Sequence, residues 1–253
     1  MAVKIKVNDL TMAYGSLVVM HDLNFEIHDK EILVIMGGSG CGKSTLLRHL
    51  IGLQEPTKGS ISYEGKDFTA TDPTERGSFI KRFGVMYQSG ALWSSLTLGE
   101  NISMPLEESG KIPAEIVRDL VSYKLSLVGL SGYEDYYPAQ ISGGMKKRAG
   151  IARAMALDPD ILFLDEPGAG LDPLSSRRLD DLILRLRDSQ GSTIVIVTHE
   201  LASIFNIADK ALFLDPATHT QGALGNPADL RDHSDNPAVR LFLNRGELPK
   251  SPP

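Results

Sequence analysis

The chain is poor in the residues that stabilise secreted and membrane-spanning proteins. Its 253 residues include one cysteine, Cys41, so no disulfide can form within the chain and a disulfide-based secreted scaffold is excluded. The longest apolar runs, such as those at 32–36 and 193–197, are far shorter than the roughly 20 residues that cross a bilayer. Residues 1–10 lack the continuous apolar core of a signal peptide. We therefore expect a protein of a reducing compartment that is soluble or at most peripheral to a membrane.

Positive charge is also scarce. Lysine and arginine number 26 against 32 aspartate and glutamate residues, which gives a formal net charge of −6. A protein that holds nucleic acid mainly through its overall charge is therefore disfavoured, because the phosphate backbone attracts basic surfaces. Hydrophobic residues make up 42% of the chain, which is enough for the core of one large domain or two modest ones.

Three short runs rich in β-branched residues predict buried parallel strands, because strands covered on both faces have continuous apolar sequences. These runs are 31–36, 161–166 and 192–200. Residues 175–191 carry apolar side chains at helical spacing and end in a glycine, so they predict a crossover helix. The apolar stripe of this helix consists of Leu179, Leu182, Ile183 and Leu186.

The rest of the chain predicts two further parts of an α/β fold. Alternating apolar and polar residues at 3–7, 23–27 and 59–65 are typical of an antiparallel β portion. Helical patterns dominate between about 90 and 160, as in residues 111–130, and predict an inserted helical subdomain.

A glycine-rich loop follows the first predicted parallel strand and precedes a helical pattern. Gly37, Gly42, Lys43 and Ser44 fill the spacing of a phosphate-binding loop. The glycines let the backbone approach phosphates, Lys43 can reach the β- and γ-phosphates, and the Ser44 hydroxyl can bind Mg²⁺. A nucleotide site is therefore expected, and its remaining loop residues are Gly38, Ser39, Gly40, Cys41 and Thr45.

Cys41 lies within this loop and has two interpretations. It is either a small filler residue without chemistry or a thiol close to the bound nucleotide. In the second case, alkylation would block nucleotide binding and MgATP would protect the thiol.

Two adjacent carboxylates, Asp165 and Glu166, end the second predicted parallel strand. Successive side chains of a strand point in opposite directions, so the two carboxylates cannot do the same job. We expect Asp165 to hold Mg²⁺, directly or through water, and Glu166 to polarise the water that attacks the γ-phosphate. A solvated strand end is the alternative interpretation.

Two further polar residues follow predicted strands. His199 comes after the third parallel strand, at the edge where open α/β sheets bind ligands, so a contact with the γ-phosphate is expected. Gln88 can offer its amide oxygen to Mg²⁺ or to water. Either residue can also be an ordinary polar residue without a catalytic role.

Ser142, Gly143 and Gly144 precede a basic helical segment. Backbone N–H groups at the positive end of a helix dipole suit an anion. A simple helix N-cap would explain the serine but not the two glycines.

Together these residues resemble the nucleotide-binding subunit of ABC transporters over nearly the whole chain. The matching features, in order, are the adenine-stacking aromatic Tyr14, the Walker A loop 37–45, the Q-loop glutamine Gln88, the signature 141–145, the Walker B strand 161–166, the D-loop Asp172 and the switch histidine His199.

The resemblance implies an ABC-type P-loop ATPase domain over 1–235, with ATP and Mg²⁺ as ligands and a C-terminal extension over 236–253. In this family the signature of one subunit caps the ATP held by the Walker A loop of a second. A chain with one copy of each motif is therefore expected to work as a homodimer, or as a heterodimer with a similar subunit, bound to a transmembrane permease.

The signature departs from the usual Leu-Ser-Gly-Gly-Gln at Ile141 and Met145, and methionine cannot make the hydrogen bonds of glutamine. Residues 142–154, 89–106 and 236–245 are instead similar to the Mla phospholipid-transport ATPases, which work with MCE-type lipid-binding proteins. This similarity implies phospholipid transport on the cytoplasmic side of an inner membrane. The alternatives are another cargo, such as an amino acid, an ion or a lipoprotein, and a non-transport ABC protein that acts on DNA or ribosomes.

Two apolar segments remain open to interpretation. The side chains of Leu92, Trp93, Leu96 and Leu98 either fill the helical subdomain or form an exposed patch where the permease docks. In the Mla branch a tail comparable to 236–253 contacts the neighbouring subunit and a small regulatory partner. Its last part, 247–253, has the composition of a disordered segment.

Overall fold

A computed structural model of the protein describes residues 2–246, and its internal contacts divide the chain into two compact units. Among the described residues, unit 1 contains 2–80 and 193–246, and unit 2 contains Lys81–Ser192. The predicted disordered segment, 247–253, lies outside the described residues.

Strands and helices alternate along most of the chain. The strands are β1 (Val3–Tyr14), β2 (Leu17–His28), β3 (Ile32–Met36), β4 (Lys58–Tyr63), β5 (Lys66–Asp67), β6 (Phe83–Met86), β7 (Ile161–Asp165), β8 (Thr193–Val197), β9 (Lys210–Asp215) and β10 (Thr220–Gly225). The helices are α1 (Lys43–Leu50), α2 (Pro73–Ile80), α3 (Leu98–Glu108), α4 (Ala114–Leu127), α5 (Gly143–Ala154), α6 (Pro173–Gln190), α7 (Leu201–Ile207), α8 (Pro227–His233) and α9 (Pro237–Leu243), with a 3-10 turn at Pro138–Gln140. Between residues 2 and 246, no helix is both long and apolar enough to cross a membrane.

Unit 1 contains an antiparallel sheet and a mainly parallel strand arrangement. The antiparallel sheet has the order β2-β1-β4-β5, which confirms the predicted antiparallel portion. In the other arrangement, β3 runs parallel to both β8 and β9, and β10 pairs antiparallel with β9. Every residue of β3 and β8 is buried, which explains their continuous apolar sequences. The carboxyl ends of β3 and β8 therefore meet at one edge, where ligands bind in open α/β sheets.

Unit 2 combines the parallel pair β6 and β7 with helices α3, α4, α5 and α6. The helical prediction for about 90–160 corresponds to α3, α4 and α5, while the compact unit also includes β6, β7 and α6. The predicted stripe of α6 is confirmed, because all four of its apolar residues are buried. Gly191 ends this helix with a φ of 69°, a left-handed conformation that glycine adopts readily.

The described part of the C-terminal extension, 236–246, belongs to unit 1 and packs within it. In α9, Val239 and Leu243 are buried, and the ring of Phe242 lies 5.4 Å from the ring of Phe213 in β9. Asn236 caps the start of this helix. The apolar side of the extension thus packs against its own chain.

Candidate functional site

The loop between β3 and α1 depends on backbone positions that favour glycine. Gly37, Gly40 and Gly42 have φ values of 148°, 77° and 98°. A Cβ atom on Gly37 would lie 2.7 Å from both the sulfur of Cys41 and the carbonyl oxygen of Leu214, so a larger residue would displace the backbone. Cys41 is itself buried, and this burial raises the pKa of its thiol. The thiol therefore fills the inside of the loop.

The lysine of this loop is held by the loop itself. Lys43 is buried, and its Nζ atom donates hydrogen bonds to the carbonyl oxygens of Gly37 and Gly38, both at 2.9 Å. Ser39 and Ser44 are exposed beside it. The loop thus combines a fixed ammonium group with an accessible rim, an arrangement that suits a phosphate.

Two other predicted site residues belong to unit 1. Tyr14 is 48% exposed and donates a hydrogen bond to Oε1 of Gln54 at 3.1 Å. The side chain of Thr45, and to a lesser extent Arg48, lowers the pKa of the Tyr14 phenol, so this ring lies beside the start of α1. His199 is exposed and follows β8, at the same strand edge as the Walker A loop. Unit 1 therefore brings Tyr14, the loop and His199 to one edge.

The carboxylates and the Q-loop glutamine belong to unit 2. Met86 pairs with Leu164 in the parallel strands β6 and β7, so Gln88 and Glu166 follow at the same edge. Gln88 is exposed, Asp165 is half-buried and Glu166 is buried. The φ of Glu166 is 48°, a left-handed conformation that is uncommon for a residue with a side chain.

The signature residues begin α5. Ser142 is its N-cap, and its hydroxyl accepts a hydrogen bond from the backbone N–H of Met145 at 3.3 Å. A Cβ atom on Gly143 would meet nothing within 4 Å, and one on Gly144 would meet only ordinary contacts at 3.8 Å. Neither glycine has a left-handed backbone. The fold therefore does not require glycine at either position. Close approach of a ligand to the backbone would require it.

Asp172 lies close to the signature within unit 2. It is the N-cap of α6, and its carboxylate accepts hydrogen bonds from the backbone N–H groups of Leu174 at 3.1 Å and Ser175 at 3.0 Å. Hydrogen bonds from Ser175 hold the pKa of Asp172 below its usual value. A Cβ atom on Gly144 would lie 3.8 Å from both Leu171 and Ser175, so the two helix starts are neighbours.

A cavity of about 390 Å³ adjoins the signature residues in unit 2. Arg148, Arg178 and Arg185 line it, and burial together with the like charge of Arg178 lowers the pKa of Arg148. Asp181 also lines the cavity, but its carboxylate lies 3.3 Å from Nε of Arg177. The cavity therefore has a cationic wall next to the signature.

The apolar residues in and after the loop before α3 differ in their exposure. Leu98 is buried, as the core interpretation predicts, whereas Trp93 is 54% exposed. The buried side chain of Asn101 holds the loop: its Oδ1 accepts from the N–H of Trp93 at 2.7 Å, and its Nδ2 lies 2.8–3.2 Å from the carbonyl oxygens of Trp93, Leu96 and Thr97. The sequence analysis missed Asn101, although its position three residues after Leu98 on one helix face is a signal for burial.

The ABC transporter family matches residues 20–169, more than half of the chain. The chain belongs to the ABC transporter family. It is accordingly an ATP-binding ATPase subunit, as its motifs predict.

Individual relatives are similar to this chain over almost its full length. The probable ribonucleotide transport ATP-binding protein mkl of Mycobacterium tuberculosis is 41% identical over 96% of this chain and 67% of its own. The intermembrane phospholipid transport system ATP-binding protein MlaF of Haemophilus influenzae is 38% identical over 97% of this chain and 92% of its own. The match to MlaF confirms the similarity to the Mla branch.

A solved structure confirms the fold. The dimeric ATP-binding cassette MJ0796, in a post-hydrolysis state bound to ADP and Pi, superimposes with a TM-score of 0.79. It is 27% identical to this chain, and the match covers 88% of this chain and 98% of that one. The ABC-type α/β fold is therefore established, while the roles of individual site residues stay predictions.

Proposed function

We propose that this ATPase powers the movement of phospholipid between membranes. It would act at the cytoplasmic face of an inner membrane, together with a transmembrane permease, an MCE-type lipid-binding protein and a small regulatory subunit. The observation that carries this proposal is the similarity to MlaF of Haemophilus influenzae over 97% of this chain and 92% of its own length. Another cargo is the second candidate, because mkl, whose name refers to ribonucleotide transport, is similar over 96% of this chain.

The proposed catalytic roles follow from the chemistry of the side chains. Lys43 would bind the β- and γ-phosphates, and Ser44, Gln88 and Asp165 would supply oxygen atoms to Mg²⁺, which prefers hard oxygen ligands. Bound between the phosphates, Mg²⁺ would neutralise their charge. Glu166 would polarise the attacking water.

The remaining residues complete the proposed nucleotide site. His199 would contact the γ-phosphate, and the exposed ring of Tyr14 would stack on adenine. The exposed Ser142 and Gly143 support a contact with the ATP bound by a second copy of the chain, since the space around the glycine is open. We therefore propose a homodimer with two composite ATP sites, in which Asp172 lies at the interface.

The catalytic assignment can be tested with Glu166→Gln, which removes the base while preserving the size of the side chain. This variant should bind ATP normally and form an ATP-dependent dimer, while its turnover falls by about 10² or more, the contribution of a general base. The matched control is Glu107→Gln, an exposed residue of α3, which should hydrolyse ATP like the wild type. Turnover of Glu166→Gln at the wild-type rate would contradict the assignment.

The cargo can be tested by extracting the protein from its native membrane with a mild detergent. Mass spectrometry would then identify the proteins and lipids that copurify. A permease, an MCE-type protein and bound phospholipid are the expected result. A different permease without enriched lipid would leave the ATPase assignment intact and refute the phospholipid proposal.

A further inference from the structure

A buried lysine on the signature helix connects two parts of the proposed catalytic site. The Nζ atom of Lys147, which is 8% exposed, donates hydrogen bonds to the backbone carbonyl oxygens of Gln88 and, at 3.2 Å, of Glu166. Gln88 opens the Q-loop, defined here as residues 88–91, and Glu166 follows β7. An ammonium group has three donors and can bind both carbonyls at once. One side chain thus links α5, the Q-loop and the end of β7 within unit 2.

The same face of α5 contacts the Q-loop at two further points. Lys147, Gly150 and Arg153 are spaced three residues apart, which brings them to one side of the helix. A Cβ atom on Gly150 would lie 3.0 Å from both the Cα and the carbonyl oxygen of Gly90, so the two backbones are in direct contact. The guanidinium of Arg153 donates to the carbonyl oxygen of Ala91. These contacts therefore fix the position of the Q-loop relative to α5.

The residues held in this way have uncommon backbone conformations. The φ values of Glu166 and Ala91 are 48° and 50°, in the left-handed region, and Gly90 has a φ of 78°. Such conformations in residues with side chains persist only where the surroundings hold them. A hydrogen bond from Lys147 to the carbonyl group of Glu166 acts directly on the peptide that follows the strained residue. Its loss would allow Glu166 to relax and to turn its carboxylate away.

We propose that Lys147 is a positioning residue for ATP hydrolysis. It fixes the positions of the Q-loop and of the backbone of Glu166 relative to α5. It acts through two carbonyl groups rather than on the nucleotide. The proposal rests on the catalytic roles proposed above for Gln88 and Glu166. Because the Walker A loop is expected to supply most of the ATP affinity, the loss of Lys147 should reduce kcat far more than it changes KM.

The first test compares three variants of the full-length protein in steady-state ATP hydrolysis. Lys147→Met removes the donors at similar length and should lower kcat by about tenfold to hundredfold, the effect of a small misplacement of reacting groups, with KM changed by less than about threefold. Lys147→Arg retains donors and should recover part of kcat. Lys146→Met is the matched control, since this half-buried neighbour lies outside the face formed by Lys147 and Gly150, and it should match the wild type.

The second test asks whether Lys147 acts through Glu166. In a Glu166→Gln background, Lys147→Met should cause little further loss of turnover, because interacting residues are not additive. An equal loss in both backgrounds, or a wild-type kcat for Lys147→Met, would overturn the proposal. If Lys147→Met does not fold, Lys147→Gln replaces it. Its side chain is too short to serve both carbonyl groups, so the same loss is expected and the same outcomes would refute the proposal. A wild-type protein without ATPase activity would instead refute the catalytic roles on which the proposal rests.

Discussion

Replacing Asn101 by leucine should destabilise the loop that carries Trp93. The Asn101 amide is completely buried and accepts one hydrogen bond from this loop, while its two N–H groups serve three carbonyl oxygens. We count the bond accepted by Oδ1 and one bond for each of the two N–H groups. At about 1 kcal/mol for each of these, the loss of the amide removes about 3 kcal/mol. Water that reaches the exposed side of the loop would recover part of this, so we expect the free energy of unfolding to fall by about 2–3 kcal/mol.

Trp93 provides a direct assay for this effect, because it is the single tryptophan of the chain. Urea unfolding should be followed by far-ultraviolet circular dichroism and by Trp93 fluorescence, whose anisotropy in the native protein should fall in Asn101→Leu as the loop loosens. Ser103→Ala is the control on the same helix, since its hydroxyl donates to the carbonyl oxygen of Glu100 at 3.3 Å within the helix rather than to the loop. An Asn101→Leu protein within about 0.5 kcal/mol of the wild type, the range of neutral surface changes, would refute the argument.

Three other predictions concern single side chains. Trp93→Ala should fold and hydrolyse ATP but copurify less permease, because the ring is exposed; wild-type recovery of the permease would contradict a docking role. Burial lowers the pKa of His49, so the unfolded chain binds more protons below about pH 6.5 and stability should fall as the pH drops through this range. His49→Gln should lose this contribution in urea unfolding at pH 5.5 and 7.5, and an unchanged pH dependence would refute it. Iodoacetamide should modify Cys41 at least tenfold more slowly in the native protein than in urea, and MgATP should slow the reaction further. The modified protein should no longer bind ATP. Equal rates of modification, or normal ATP binding by the alkylated protein, would count against this prediction.

The parts of the fold that could be predicted are those whose sequence carries a local period. The apolar run 32–36 and the stripe of α6 are such cases, because burial on both faces or on one helical face leaves a pattern in the sequence itself. The Walker A loop could also be predicted from the sequence. The φ values of Gly37 and Gly42 favour residues without a side chain, and this requirement appears in the sequence as glycine at fixed positions. By contrast, β9, which runs parallel to β3, and β10, its antiparallel edge strand, had not been predicted as strands.

Buried polar residues escaped prediction because their partners are distant in sequence. In the sequence, Lys147 resembles one of several exposed basic residues. Its burial depends on carbonyl groups contributed by Gln88 and Glu166. Lys124 also resembles a surface lysine of an amphipathic helix, yet it is 1% exposed and lies 2.5 Å from the carboxylate of Asp158. No local period encodes such contacts, since they arise only when separate segments pack together.

The packing of α9 affects how the C-terminal extension can be manipulated. A chain shortened to end at residue 235 would uncover the apolar surface around Phe213, and the resulting protein would tend to aggregate during purification. Loss of activity in such a protein would then report poor solubility rather than a missing partner. A substitution at Leu241, which is 41% exposed, would probe partner binding while leaving the buried side of α9 intact.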